Sequence, residues 1–189
     1  MSRSNIKTNN AKDNRKILLR KNHINNIIES NVLELFCGDG VIKKKVYNEV
    51  KKYTGVDIKD NGKNIVSDAV DFVKSNDISN YDIIDIDPYG DPYTVLINIK
   101  KIKKDVTFFI TDGLYTDLSM GNICKSIQLF TGMNQNRILK ANRIHLILIK
   151  IIINKFAKKH SAVLSNFYIF TGKTQSHVKY YTFKLTKLN

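Results

Sequence analysis

The sequence predicts an α/β fold: a doubly wound, mostly parallel seven-stranded sheet that ends in an antiparallel hairpin. Two observations carry this. From Val32 onward, short runs rich in Val and Ile alternate with amphipathic stretches, and the runs are almost continuously apolar, as strands covered by helices on both faces are. At the C-terminal end two longer β-rich runs, AVLSNFYIFTGK and SHVKYYTFKL, meet at the turn-forming GKTQ, the pattern of a hairpin.

The first residues, including SRSNIKTNNAKDNRK, are polar and basic with no apolar period, so residues 1–22 are expected to be a flexible basic arm and 23–189 one domain. Strands are then expected at NVLELF, KYTGVD, KNIVSD, YDIIDID and DVTFFITD. Helices are expected over about Val41–Lys51, Ala69–Ser75, Pro92–Lys103 and Leu118–Phe130, with a long one from about Gln135 to His160. This alternation implies a parallel, doubly wound sheet. No repeat or linker divides the chain.

Composition narrows the function. The 189 residues carry 31 Lys and Arg against 17 Asp and Glu, a net charge of +14. Such a surplus suits a polyanion, because lysines that meet phosphates release counterions. An AT-rich genome would also enrich Lys, Asn and Ile with no binding role. Two cysteines, Cys37 and Cys124, form neither a disulfide framework nor a metal-ligand spacing, which with the lack of an apolar leader fits a reducing cytoplasm and no metal. The run Ile144–Ile153 is too short to span a bilayer and contains His145 and Lys150, so a buried helix is expected and no membrane partner.

Three motifs lie at the ends of successive strands, at the edge where open α/β sheets bind ligands. In VLELFCGDG the glycines Gly38 and Gly40 would let the backbone approach a ligand, while Glu34 and Asp39 would repel a pyrophosphate and favour a cationic cofactor without phosphates. Asp57, in YTGVDIKD, could accept the two hydroxyls of a ribose or be a solvated strand end. Asp68, in IVSDAVDF, could accept from an adenine amine or cap the helix that starts at Ala69.

Taken together, these residues resemble the class I S-adenosylmethionine-dependent methyltransferases, and the terminal hairpin is also that family's habit. The resemblance implies a Rossmann-like methyltransferase domain and S-adenosyl-L-methionine as cofactor. It implies cofactor contacts from Glu34, Phe36, Gly38, Gly40, Asp57, Ile58, Asp68, Ala69 and Asp87.

DIDPYGDPY, Asp85 to Tyr93, holds both prolines of the chain and follows the fourth strand. In members that act on base amines this place holds an acid or amide, proline and an aromatic. An aryl amine is a poor nucleophile, since its lone pair is delocalised. N–H donation to the Asp87 carboxylate and the Pro88 carbonyl would orient that lone pair, and Tyr89 would stack on a base taken out of its helix. The resemblance thus assigns the reaction to Asp87, Pro88 and Tyr89.

The DPYG form differs from the DPPY of many amine methyltransferases and resembles the DxDPFGSP of the tRNA guanine-N2 dimethyltransferases. FFITDG and SHVKYYTFKL agree with that family's later strands. Guanine N2 in tRNA is therefore the implied target, with a DNA adenine amine, or nucleic-acid binding without turnover, as alternatives. Members of that family usually carry a further tRNA-holding domain, and their cofactor loop is less glycine-rich than ELFCGDG. A protein that supplies the missing tRNA-binding surface is accordingly an expected partner.

Overall fold

The structure, a computed structural model, describes residues 14–134, 138, 140–170 and 178–188. Seven strands, β1 (Asn31–Leu35), β2 (Lys52–Asp57), β3 (Ile65–Val66), β4 (Ile83–Ile86), β5 (Val106–Asp112), β6 (Ala162–Ile169) and β7 (Lys179–Lys187), form one sheet. Its order is β3-β2-β1-β4-β5-β7-β6. The first five run parallel, and β7 inserts antiparallel to both β5 and β6. The expected sheet and its terminal antiparallel pair are present. The GKTQ turn between them lies outside the described residues.

Strand periodicity distributes the core. On one face Leu33, Leu35, Ile84, Ile86, Phe108 and Ile110 pack under α3 (Ala69–Ser75), α4 (Tyr93–Asn98), α6 (Lys125–Thr131) and α7 (His145–Lys159). On the other, Val32, Ile83, Phe109 and Tyr180 meet α1 (Asn14–His23) and α2 (Val41–Lys45). Phe108 stacks on Phe183 and meets Phe156 of α7 edge-on, tying β5, β7 and that helix together.

Helix α1 corrects the expectation of an arm over residues 1–22. Asn14–His23 is helical, and Ile17 and Leu19 join the core, so the boundary drawn at residue 23 falls at the end of a packed helix. Residues 1–13 lie outside the described set. The helix buries Lys16 and Arg20 as well, because acidic partners wait for them on β4.

Other helices are shorter than periodicity suggested. The one expected to reach Lys51 stops at Lys45, and Tyr47 turns into the core. α4 ends at Asn98, where Lys159 donates to the carbonyls of Ile97 (2.8 Å) and Ile99 (3.0 Å). The expected Leu118–Phe130 helix is two, α5 (Tyr115–Ser119) and α6, separated at Gly121, whose φ of 84° lies in the left-handed region that ends helices. Of the long helix expected from about Gln135, residues 135–137 and 139 lie outside the described set; Ala141–Ile144 forms a 3-10 turn that continues as α7. No helix of the described residues is long and apolar enough to cross a membrane.

Candidate active site

The sheet reverses its strand order between β1 and β4, and the carboxyl ends of β2, β1 and β4 open onto one crevice. Here the chain leaves β1 through Phe36 (φ 65°), Gly38 (φ 49°) and Gly40 (φ 69°), three left-handed conformations in five residues. They fold the segment flat onto β2: the amides of Phe36 and Cys37 both donate to the Val56 carbonyl, at 2.8 and 3.1 Å. A Cβ at Gly38 or Gly40 would meet nothing within 4 Å, so open space lies above both.

Asp57 holds this loop. Its Oδ2 accepts from the Gly38 amide at 2.9 Å and its Oδ1 from the Lys59 amide at 2.9 Å. Each oxygen keeps a second lone pair, enough for a pair of hydroxyls. Beside it, Ile58 is 68% exposed, an apolar surface at the mouth of the crevice. Asp68 caps α3, accepting from Val70 (2.7 Å) and Asp71 (3.1 Å) through Oδ1. The capping reading is thus realised, with both bonds on one oxygen. Ala69 packs its methyl in the core, so only its backbone could face a ligand.

Glu34 is not at the loop surface. Residues of β1 alternate faces, and Glu34, paired in register with Asp85, points toward α1 and is sealed there, accepting from the Tyr53 hydroxyl at 2.7 Å. Burial, reinforced by the neighbouring Asp85 charge, pushes its carboxyl up to about 8, so it is neutral at neutral pH. The acidic character expected of the loop therefore rests on Asp57 and the exposed Asp39.

The DIDPYGDPY segment divides its roles. Asp85 is wholly buried, gripped by Arg20 through Nε (2.6 Å) and Nη2 (2.5 Å), with the Tyr47 hydroxyl on Oδ2 at 2.7 Å. Burial opposes the Arg20 charge, but Asp85 outweighs it and holds the guanidinium pKa above its usual value. Asp87 ends β4 at the crevice: its amide donates to the Leu35 carbonyl at 3.3 Å and its Oδ2 is paired with the Lys16 ammonium. Pro88 is buried, whereas Tyr89 is 81% exposed. Asp91 caps α4 through the Tyr93 amide (2.8 Å) and accepts from Thr94 and Ser126, both at 2.7 Å. Pro92 precedes Tyr93 as the residue at the start of that helix.

Behind the segment, Asp112 is buried and bonded to Tyr93, to His145 at 2.8 Å and to the Leu114 amide at 2.9 Å. It caps the turn at Gly113 and does not line the crevice. Cys37 is buried, and burial, with the acidic groups of Glu34 and Asp57 nearby, pushes its thiol up to about 12, which disfavours a thiolate nucleophile at neutral pH.

The Phe36–Gly40 loop, Asp57, Ile58, Asp68, Asp87 and Tyr89 thus lie at or just beyond the carboxyl ends of the parallel strands β1 to β4. Sequence reasoning missed Lys16, Arg20, Tyr47 and Tyr53, which surround the acids from below. The signal available was the spacing of Lys16 and Arg20, one helical turn apart around Ile17 and Leu19.

This architecture and strand order are the fold of the class I S-adenosylmethionine-dependent methyltransferases. Among solved structures the chain is similar to Trm1 from Pyrococcus horikoshii, solved with S-adenosyl-L-methionine. That likeness has a TM-score of 0.64 and 14% identity over 95% of this chain and 55% of the other. It is also similar to M. jannaschii TYW2 in complex with AdoMet (TM-score 0.55, 12% identity, 94% and 77% of the two chains). A third likeness is to the N-methyltransferase NodS from Bradyrhizobium japonicum WM9 (0.54, 13%, 96% and 99%). The chain therefore spans about half the length of Trm1. No family model and no curated protein matches it.

Proposed function

We propose that the chain is an S-adenosylmethionine-dependent methyltransferase that acts on an exocyclic base amine of RNA, guanine N2 in tRNA. The observation that carries this reading is Asp87, a carboxylate at the end of β4 in the crevice where the strand order reverses, followed by buried Pro88 and exposed Tyr89.

The residues present fit the cofactor. Open space stands over Gly38 and Gly40, Asp57 offers acceptor lone pairs for ribose hydroxyls, Ile58 offers an apolar wall, and Asp68 has an oxygen not used in capping. Bound there, S-adenosyl-L-methionine supplies an electrophilic methyl group. Asp87 accepts one N–H of the acceptor amine and the Pro88 carbonyl the other, which directs the nitrogen lone pair out of conjugation. Tyr89 stacks on the base, and the net charge of +14 draws the phosphate backbone. The likeness of DIDPYGDP to the tRNA guanine-N2 motif supports guanine as the base and tRNA as the polymer.

The test is calorimetry with S-adenosyl-L-methionine, then labelled methyl transfer to total tRNA and to matched DNA, with digestion to nucleosides. Label in N2-methylguanosine is expected. Label in N6-methyladenine would sink the base assignment, transfer to DNA alone the polymer, and no cofactor binding at millimolar concentration the enzyme itself.

A further inference from the structure

Helix α1 and strand β4 meet as two matched pairs. Lys16 and Arg20, four residues apart on a helix, share one face, and Asp85 in β4 and Asp87 directly after it, two apart, share another. Arg20 takes both oxygens of Asp85, and Lys16 takes Oδ2 of Asp87. The inner pair is sealed from solvent. The outer pair lies one step toward the crevice, where the Lys16 side chain is 3% and the Asp87 side chain 10% exposed. Among the described residues Lys16 is the one hydrogen-bond donor to the Asp87 carboxylate, so Oδ1 keeps its acceptor capacity.

We propose that Lys16 is a positioning residue of the methyl transfer, fixing the Asp87 carboxylate by Oδ2 so that Oδ1 alone is presented to the acceptor amine. The inference rests on the function proposed above. A carboxylate left free to rotate would offer an amine two equivalent oxygens in many orientations, whereas a pinned one defines the line of approach, and alignment of this kind governs rate more than affinity. The ammonium also cancels the Asp87 charge, so the group best received beside it is a neutral N–H donor such as a base amine. An alkylammonium would meet Lys16 as a like charge. The neighbouring Arg20, Asp85 and neutral Glu34 keep the rest of the cluster balanced.

The experiment compares Lys16→Met and Lys16→Arg with the wild-type chain, in cofactor titrations, thermal unfolding and steady-state methylation of tRNA. With Lys16→Met, kcat should fall about tenfold or more, while the tRNA KM and the cofactor Kd stay within about twofold. Lys16→Arg, which can still donate to Oδ2, should recover most of the rate. Cofactor affinity and the unfolding midpoint report that each variant is folded; if Lys16→Met is not, the inference is judged on Lys16→Gln, a neutral donor, which should retain more activity than it loses. A Lys16→Met enzyme as fast as wild type overturns the inference and leaves the proposed function standing, and so does a faster one, which would make α1 a barrier to the substrate. A wild-type chain that binds no cofactor and methylates no tRNA overturns both.

Discussion

Gly113, directly after β5, donates its backbone N–H to the Gly90 carbonyl at 2.9 Å, and a Cβ at Gly113 would stand 2.9 Å from the Gly90 nitrogen and 3.0 Å from its Cα. Two glycine backbones in contact set the height of the Asp87–Gly90 segment over the sheet. A methyl group at residue 113 must displace backbone, which cannot swing aside as a side chain does. Gly113→Ala should therefore lower kcat by about tenfold or more while leaving cofactor affinity near wild type. Unchanged turnover would show that the segment tolerates the shift.

Arg20 and Asp85 form a fully buried ion pair above the Phe109 ring, with the guanidinium 5.7 Å from its centroid. Removing one partner leaves a charge with no water to solvate it. Arg20→Met should destabilise the fold by about 3–5 kcal/mol in urea unfolding, and Arg20→Met with Asp85→Leu should recover most of the loss. A single variant within about 1 kcal/mol of wild type would show that water reaches the pair after all.

Glu34 makes stability depend on pH in an unusual direction. Its carboxyl is raised to about 8 in the fold, by burial first and by Asp85 next, from 4.5. Between these values the folded state holds a proton that the unfolded chain has released, so this group's contribution is greatest below about pH 4.5 and is lost as pH rises to about 8. The slope is about −1.4 kcal/mol per pH unit across the window. Glu34→Gln, which still accepts from Tyr53, should remove that slope. Parallel stability profiles for the two proteins between pH 5 and 8 would contradict it.

Asp57 ties the Phe36–Gly40 loop to β2 through the Gly38 amide. In Asp57→Asn one oxygen becomes a donor, which cannot satisfy both the Gly38 and Lys59 amides or take a hydroxyl proton. On the proposed cofactor site, S-adenosyl-L-methionine affinity should fall about tenfold to a hundredfold, from the loss of a charge-assisted hydrogen bond worth about 1.5–3 kcal/mol. Calorimetry that gives an unchanged Kd would place the ribose elsewhere.

Much of the site was legible before the fold was seen, because its signals are local. Glycines in ELFCGDG foretell a turn whatever lies around them, and acids at strand ends fall on one edge once the strands are parallel. Helix ends were less legible: Gly121 divides one expected helix, and Lys159, on a helix far along the chain, donates to the carbonyls of Ile97 and Ile99 at the end of α4. The expectation of a flexible arm up to residue 22 missed the helix over Asn14–His23, because a polar, basic stretch carries no local sign that Lys16 and Arg20 have acidic partners elsewhere.

By itself, then, the sequence determined the alternating elements, the parallel sheet with its antiparallel end, and the acids at the ends of β2 and β4, all of which follow from the period of side chains along a strand and from local turn chemistry. Only the tertiary structure decided which acids meet water and which meet cations. Asp85 and Asp87 find Arg20 and Lys16 from 65 and 71 residues away, and Glu34 lies buried beside them. Whether a charge is solvated, paired or neutralised depends on what surrounds it in space, and no local pattern carries that.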